Sequence, residues 1–261
     1  MKQSARGWQE FWAEFFRIKH RHSIESIRDF DERFASHIIK ALALHRGERI
    51  LDLGCGGGDQ AAALARRGME CLGVDIAQTL VDYANRTARE ENLRAKFICA
   101  DMREEQFREA FDACVILEAF GFFDDEGNTQ VLNAVKTALK KDGRFYIQGP
   151  NPLSRMKKPW KGWQEVEDGY VLMESNYDPA SGKNSDSFFY IGADGEQIRF
   201  SPKPEDAGVS TEMRLHTLPE MVNLPNTAQL RFKAAYGSIR LPLEEYTVTS
   251  DHLAIVGKKA H

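Results

Sequence analysis

The stretch Ile50-Leu51-Asp52-Leu53-Gly54-Cys55-Gly56-Gly57-Gly58 constrains this chain more than any other. Its apolar start reads as a buried strand. Glycines 54, 56 and 58 let the backbone turn sharply and approach a ligand, and the alanine-rich residues 60–68 read as a helix closed by Gly68. The first turn of such a helix presents unpaired N–H groups and a partial positive charge, which suits a nucleoside-bearing ligand. A dinucleotide site with the spacing G-x-G-x-x-G would need glycine at 59, where Asp59 stands and would repel a pyrophosphate. A glycine turn used only for packing needs no ligand and is the alternative.

The same rhythm continues. A strand at 70–75 ends in Asp75, about twenty residues beyond the loop, where a carboxylate either accepts hydrogen bonds from ribose hydroxyls or caps the next helix. Helices are expected at 79–91 and 128–140, and strands at 95–99, 111–117 and 143–148. Asp101-Met102, after the third strand, offers a carboxylate beside a flexible apolar surface, a pairing suited to an adenine's amino group and ring face. Repeated βα units with largely apolar strands predict an α/β doubly wound fold, a mostly parallel sheet covered on both faces.

After Pro150 the rhythm breaks into short strand-like runs at 170–176, 185–192, 197–201 and 210–216, separated by the turns Asp178-Pro179-Ala180-Ser181-Gly182 and Ala193-Asp194-Gly195. They predict an inserted antiparallel β meander. A last helix begins near Leu218-Pro219-Glu220, before closing strands at 229–236 and 246–256. At the other end, Trp8, Phe11, Trp12, Phe15 and Phe16 share one helix face, which either packs on the body or lids a pocket. Lys19-His20-Arg21-His22 reads as a solvated helix end or an anion site. The expected division is a helical cap at 1–45, a core at 46–152 and 217–261, and an insertion at 153–216 that roofs the substrate.

A formal net charge of -4 disfavours nucleic acid as a partner. Cys55, Cys71, Cys99 and Cys114 show neither zinc-site nor disulfide spacing, so no metal is expected and a reducing, cytoplasmic setting is. No run of roughly 18 apolar residues suggests a membrane partner. A monomer or homodimer acting on a small molecule is expected.

Residues 49–152 resemble the class I S-adenosylmethionine-dependent methyltransferases, whose acid-x-Gly-x-Gly-x-Gly pattern matches Asp52, Gly54, Gly56 and Gly58. The resemblance implies S-adenosyl-L-methionine as cofactor and S-adenosyl-L-homocysteine as product. It implies that Asp75 holds the ribose, that Asp101 and Met102 border the adenine, and that Cys55, Ile76 and Leu117 complete the cofactor site, with Leu117-Glu118-Ala119 running past the sulfonium. Phe120-Gly121-Phe122-Phe123-Asp124-Asp125, residues 132–144, residues 177–183 and His216-Thr217-Leu218-Pro219-Glu220 look like a small-molecule subgroup with an antiparallel insertion after the fifth strand. A Rossmann-like, seven-stranded sheet with its last pair reversed is therefore implied.

There are departures. Leu224-Pro225-Asn226-Thr227-Ala228-Gln229 replaces a common Ala-Gly-Phe turn, implying a shortened last helix. The N-P-P-Y motif is absent after the fourth strand, and Asn151-Pro152 reads as a turn. Some relatives acting on amino sugars carry histidine after the glycine at 121, where Phe122 stands here.

Methyl transfer is an in-line displacement to which orientation supplies roughly 7–11 kcal/mol and a general base about 3–5 kcal/mol. Positioning therefore leads. Glu118 is the first candidate for a base, or else a carboxylate that binds cofactor or substrate, while His216 reads as a cap or packing residue. Trp12, Phe16, Phe120, Tyr170, Tyr190 and Arg214 are the expected substrate wall. A non-catalytic binding or regulatory protein is the first alternative, and a nicotinamide-dependent reductase, suggested only by fold and loop, is the second.

Overall fold

Alternation along the strands decides the layering of this protein, for which the computed structural model describes residues 24–104, 106–157, 160–166, 168–200 and 212–260. The main sheet holds β1 (Arg49–Leu53), β2 (Glu70–Asp75), β3 (Ala95–Cys99), β4 (Phe111–Leu117), β5 (Leu139–Pro150), β11 (Leu230–Tyr236) and β12 (His252–Lys259). Cys114, Ile116, Phe145, Ile147, Leu253 and Ile255 bury on one side of it, and Ala113, Val115, Tyr146, Ala254 and Val256 on the other. A sheet that is apolar on both sides needs helices on both.

Five helices among the described residues meet that need. On one face lie α1 (Ile24–Leu42), α2 (Asp59–Arg66) and α3 (Gln78–Glu90); on the other lie α4 (Asp125–Ala138) and α6 (Leu218–Thr227), with a single-turn α5 (Pro152–Arg155) after β5. In α1, Phe34, Ile38 and Leu42 recur every fourth residue and are buried, each contributing about 1.5–3 kcal/mol. Helix α2 buries Ala61 to Ala65 without a break, because it is sandwiched between α1 and the sheet. Small side chains allow that close packing. Arg66 clamps this stack, its guanidinium donating to Glu91 at 2.6 and 2.9 Å and to Glu32 at 3.0 Å.

The strand order is β11-β12-β5-β4-β1-β2-β3. The doubly wound fold is as expected from the sequence, with one refinement: β12 is antiparallel to both β5 and β11, so it alone runs against the other six. Boundaries also shift, the fifth strand beginning at Leu139 instead of 143. Helix α4 starts at Asp125 instead of 128, because Asp124 caps it by accepting from Gly127 N at 2.8 Å and acidic residues suit its first turn. The final strand starts at His252 instead of 246, since the Thr247 and Ser250 side chains bond within their own turn and compete with strand pairing. Asn151 is more than a turn residue: it caps α5 through Leu153 N at 3.0 Å and its amide donates to Ser250 O at 2.7 Å.

The second sheet comprises β6 (Trp160–Val166), β7 (Gly169–Asp178), β8 (Lys183–Gly192), β9 (Gln197–Phe200) and β10 (Met213–Arg214), all antiparallel neighbours. Strand β6 was not expected. Its polar residues Lys161, Gln164 and Glu165 hide the alternation, and as an edge strand it needs little apolar surface. This sheet is tied to the main one where Arg214 N donates to Gly121 O at 2.8 Å. Gly121 has φ +111°, and a Cβ there would sit 2.2 Å from Arg214 O, so only glycine lets the two backbones meet.

Candidate functional site

Between β1 and β4 the order of the sheet reverses: the connection after β1 leads toward β2, and that after β4 toward β5 on the other side. The loops beyond the two strands diverge there and leave a crevice, the usual ligand position in open α/β sheets. Gly54 lies at this point. Its φ is +74°, and a Cβ would stand 2.5 Å from the Ala119 Cβ and 3.5 Å from Met102 Sδ, so the glycine draws the ends of β1, β3 and β4 together. Gly58, at φ +79°, packs equally tightly against Phe97 of β3 and opens α2.

The loop is held by main-chain bonds. Gly54 N and Cys55 N both donate to Val74 O, at 2.8 and 3.1 Å. Asp75 closes it: Gly56 N donates to one carboxylate oxygen at 2.8 Å, and Ala77 N, entering α3, to the other at 2.9 Å. Asp75 thus anchors the loop and holds Ala77, the residue that leads into α3. Burial raises its pKa more than these bonds lower it. Asp52 lies beneath the loop with 2% of its surface exposed, and burial, followed by the charge of Asp75, pushes its pKa up to about 7. Burial, then Asp52 and Asp75, also hold the Cys55 thiol far above its ordinary value, which makes it a packing group rather than a nucleophile.

Asp101 and Met102 follow β3 and face the same crevice, but Asp101 already has a partner. Arg103 Nε donates to both of its oxygens at 3.0 Å, and the guanidinium lies 4.5 Å from the Phe123 ring centroid. Burial pushes the Asp101 carboxyl up, and Arg103 outweighs it to leave a pKa below the usual range. The Ile76 carbonyl accepts from Cys99 Sγ at 3.3 Å, which ties the ends of β2 and β3.

The ends of β4, β5 and β12 are built differently, from side chains. Leu117 is half-buried, and the exposed Glu118 has φ +52°, a left-handed backbone uncommon for a residue with a side chain; its N–H donates to Gln148 O at 2.8 Å. Gln148, 1% exposed, donates through Nε2 to His252 Nδ1 at 3.1 Å. Burial lowers the His252 pKa more than Glu118 raises it. His216, 5% exposed, packs against Phe120 with the rings tilted by 44° and their centroids 5.2 Å apart. A small cavity is lined by Gln148, His216 and Phe120 together with apolar side chains from β5, β10, β12 and α6.

The sequence-predicted positions divide. Asp52, Gly54, Cys55, Gly56, Gly58, Asp75, Ile76, Asp101, Met102, Leu117 and Glu118 come together along one edge of the sheet. Phe120 and Arg214 line the neighbouring cavity, the Arg214 side chain being paired with Asp125 and Glu220. Tyr170 and Tyr190 do not join it. Opposite strand faces carry residues 170 and 171; Val171 is buried, so Tyr170 is 46% exposed and packs edge-on against Trp163. Tyr190 is wholly buried and donates to Asp168 O at 3.3 Å, inside the second sheet. Trp12, Phe16 and Lys19 to His22 lie outside the described residues. Sequence reasoning missed Gln148, His252 and Arg103; the one available signal was Gln148, a lone polar residue closing the buried run Phe145-Tyr146-Ile147.

Residues 50–143 match the methyltransferase domain family. Over 144 residues the chain is 32% identical to a ubiquinone biosynthesis O-methyltransferase of Coxiella burnetii, a match covering 55% of this chain and 58% of that protein, so it spans little more than half of the relative. Among solved structures, the CcbJ methyltransferase from Streptomyces caelestis superposes with a TM-score of 0.73 at 16% identity, over 88% of this chain and 90% of that one. The S-adenosylmethionine-bound CalS10 from Micromonospora echinaspora, an amino pentose methyltransferase, gives 0.65 at 17% identity, over 94% and 97%. At these identities the solved structures show a shared fold.

Proposed function

We propose, for a chain whose residues 50–143 form a methyltransferase domain, that it is an S-adenosyl-L-methionine-dependent methyltransferase acting on a nitrogen or oxygen nucleophile of a small molecule. The observation that carries this reading is Asp75, fixed at the end of β2 by Gly56 N and Ala77 N at 2.8 and 2.9 Å. A carboxylate has about four lone-pair directions, so one so held still has capacity to accept from a ribose hydroxyl. The glycine loop fits the same ligand. Its residues Gly54, Cys55 and Gly56 are only partly buried, and Gly54 lies beside Met102.

Asp75 would hold the ribose, Asp101 and Met102 the adenine, and Leu117 with the loop residues Gly54, Cys55 and Gly56 the amino-acid end. When bound, S-adenosyl-L-methionine supplies a methyl group on a sulfonium, and S-adenosyl-L-homocysteine is the product. The chain's own contribution is alignment and exclusion of water, worth roughly 7–11 kcal/mol. Glu118 is our choice for the group that takes up the proton of the acceptor: its left-handed backbone at φ +52°, held by Gln148 O, is strain kept at the mouth of the crevice. Glu118→Gln is expected to lower kcat by at least 100-fold with an unchanged KM.

The inserted sheet, residues 153–216, is the proposed roof over the acceptor, since Gly121 and Arg214 join it to the end of β4. Four free thiols suit a reducing, cytoplasmic setting, and a net charge of -4 suits a small neutral acceptor better than nucleic acid. No described helix is long and apolar enough to cross a membrane. Titration calorimetry with S-adenosyl-L-homocysteine tests the proposal: binding in the micromolar range is expected, and none at high micromolar concentration overturns it. Labelled methyl transfer to a metabolite mixture then separates an enzyme from a binding protein.

A further inference from the structure

Two residues that line the cavity near the end of β4 each carry a buried polar atom with no hydrogen-bond partner: Gln148 Oε1 and His216 Nε2. Their residues are 1% and 5% exposed. A buried polar group left unpaired costs about 1–3 kcal/mol, so two lining one cavity are an arrangement that a ligand can repay.

The bonding around each atom fixes its character. The Arg214 main chain favours a proton on the His216 ring, and with Nε2 unpartnered we assign that proton to Nδ1. A neutral imidazole with its proton on Nδ1 presents a bare lone pair on Nε2. Burial, followed by the charge of Arg214, pushes the His216 pKa down to about 4, so the ring is neutral at physiological pH. Gln148 spends its Nε2 donor on His252 Nδ1 at 3.1 Å, which leaves Oε1 as an acceptor. Both atoms are acceptors. The remaining side chains of the lining are apolar, Phe120, Ile147, Met213, Leu215, Met221 and Leu253 among them, except Arg214, whose guanidinium is already paired with Asp125 and Glu220.

We propose that Gln148 Oε1 and His216 Nε2 form an acceptor pair that selects a methyl acceptor whose buried end carries hydroxyl or amino hydrogens on an apolar ring or chain. The inference rests on the methyltransferase reading. It deepens that reading by naming what the acceptor must show the protein, hydrogens to donate and no negative charge. Such a site rejects an analogue in which the hydrogen is capped, because the two lone pairs then stay buried and unpaired.

The test uses the full chain loaded with S-adenosyl-L-homocysteine and saturation-transfer NMR with matched pairs: phenol against anisole, aniline against N,N-dimethylaniline, and benzoate as the anion. The uncapped member of each pair is expected to bind about 10-fold or more tightly. Gln148→Met with His216→Phe is expected to reduce that preference to within about 2-fold while leaving S-adenosyl-L-homocysteine affinity unaltered. The single variant Gln148→Glu keeps an acceptor oxygen, is expected to keep the preference, and serves if the double variant does not fold. Equal binding of capped and uncapped members, or none, overturns the inference and identifies the pair as a site for buried water. A preference for benzoate also overturns it, because the Gln148 amide would then turn its N–H groups to the cavity. Loss of S-adenosyl-L-homocysteine binding in the unaltered chain would overturn the methyltransferase reading itself, a separate result.

Discussion

The two halves of the sheet's carboxyl edge are built from different materials. At β1, β2 and β3 the main chain does the work: glycines at 54, 56 and 58 shape the loop, and backbone N–H groups hold Asp75. At β4, β5 and β12 the groups are side chains, Glu118, Gln148 and His252, joined by His216 from beyond the inserted sheet. A site for an invariant cofactor can be written into backbone geometry, whereas a site for a particular acceptor needs side chains that can change without moving the fold.

The largest effect is expected where the main chain leaves no room. Gly54→Val puts a Cβ 2.5 Å from that of Ala119 and forces a branched residue to φ +74°, which should cost roughly 2–6 kcal/mol and abolish S-adenosyl-L-homocysteine binding together. Urea unfolding and calorimetry measure both; a folded variant that still binds would break the claim that backbone builds this half. Asp75→Ala comes next. It removes the acceptor for Gly56 N and Ala77 N as well as the proposed ribose contact, and binding should weaken on the order of 100-fold. Glu118→Gln and the Gln148 variants should instead leave cofactor affinity alone, and a shared loss would erase the distinction between the halves.

That contrast also explains what could be read in advance. Gly54, Gly56, Gly58 and Asp75 are legible because they belong to one continuous strand-loop-helix-strand unit, in which spacing fixes position. The side-chain half is assembled from residues 118, 148, 216 and 252, which no local pattern connects. Tyr170 shows the limit from the other direction. An aromatic in the insertion looked like substrate wall, but strand period alone decided its side, and the register with β6 that placed it beside Trp163 depended on a strand masked by polar residues.

Asp52 gives the backbone half a pH dependence opposite in sign to that of His216 and His252, whose lowered pKa values in the other half make stability fall toward acid pH. Its folded pKa of about 7 lies above the value near 3.8 expected when unfolded. Between the two, the folded protein binds a proton that the unfolded chain has released. This contribution to stability is therefore present at acid pH and is lost as pH rises toward 7, by up to about 4 kcal/mol in all. Asp52→Asn removes the titration. The variant should match the parent near pH 4 and exceed its stability by a few kcal/mol at pH 8, as read from urea midpoints. A constant difference across that range would show that Asp52 ionises normally beneath the loop.

Arg103 provides the smallest and sharpest comparison, because it is a side-chain intrusion into the backbone-built half. Its guanidinium occupies both oxygens of Asp101 at 3.0 Å, the carboxylate proposed to accept from the adenine amino group, and rests on Phe123. Adenine must share that carboxylate or displace the arginine. An ion pair this exposed is worth only about 0.2–1 kcal/mol, so displacement is cheap. Arg103→Ala should accordingly tighten S-adenosyl-L-homocysteine binding by about 2–5-fold, and more at low ionic strength, where the pair is least screened. Weaker binding in the variant would mean that Arg103 orients Asp101 for the adenine rather than competing with it, and this half of the site would then also depend on a side chain drawn from outside the glycine loop.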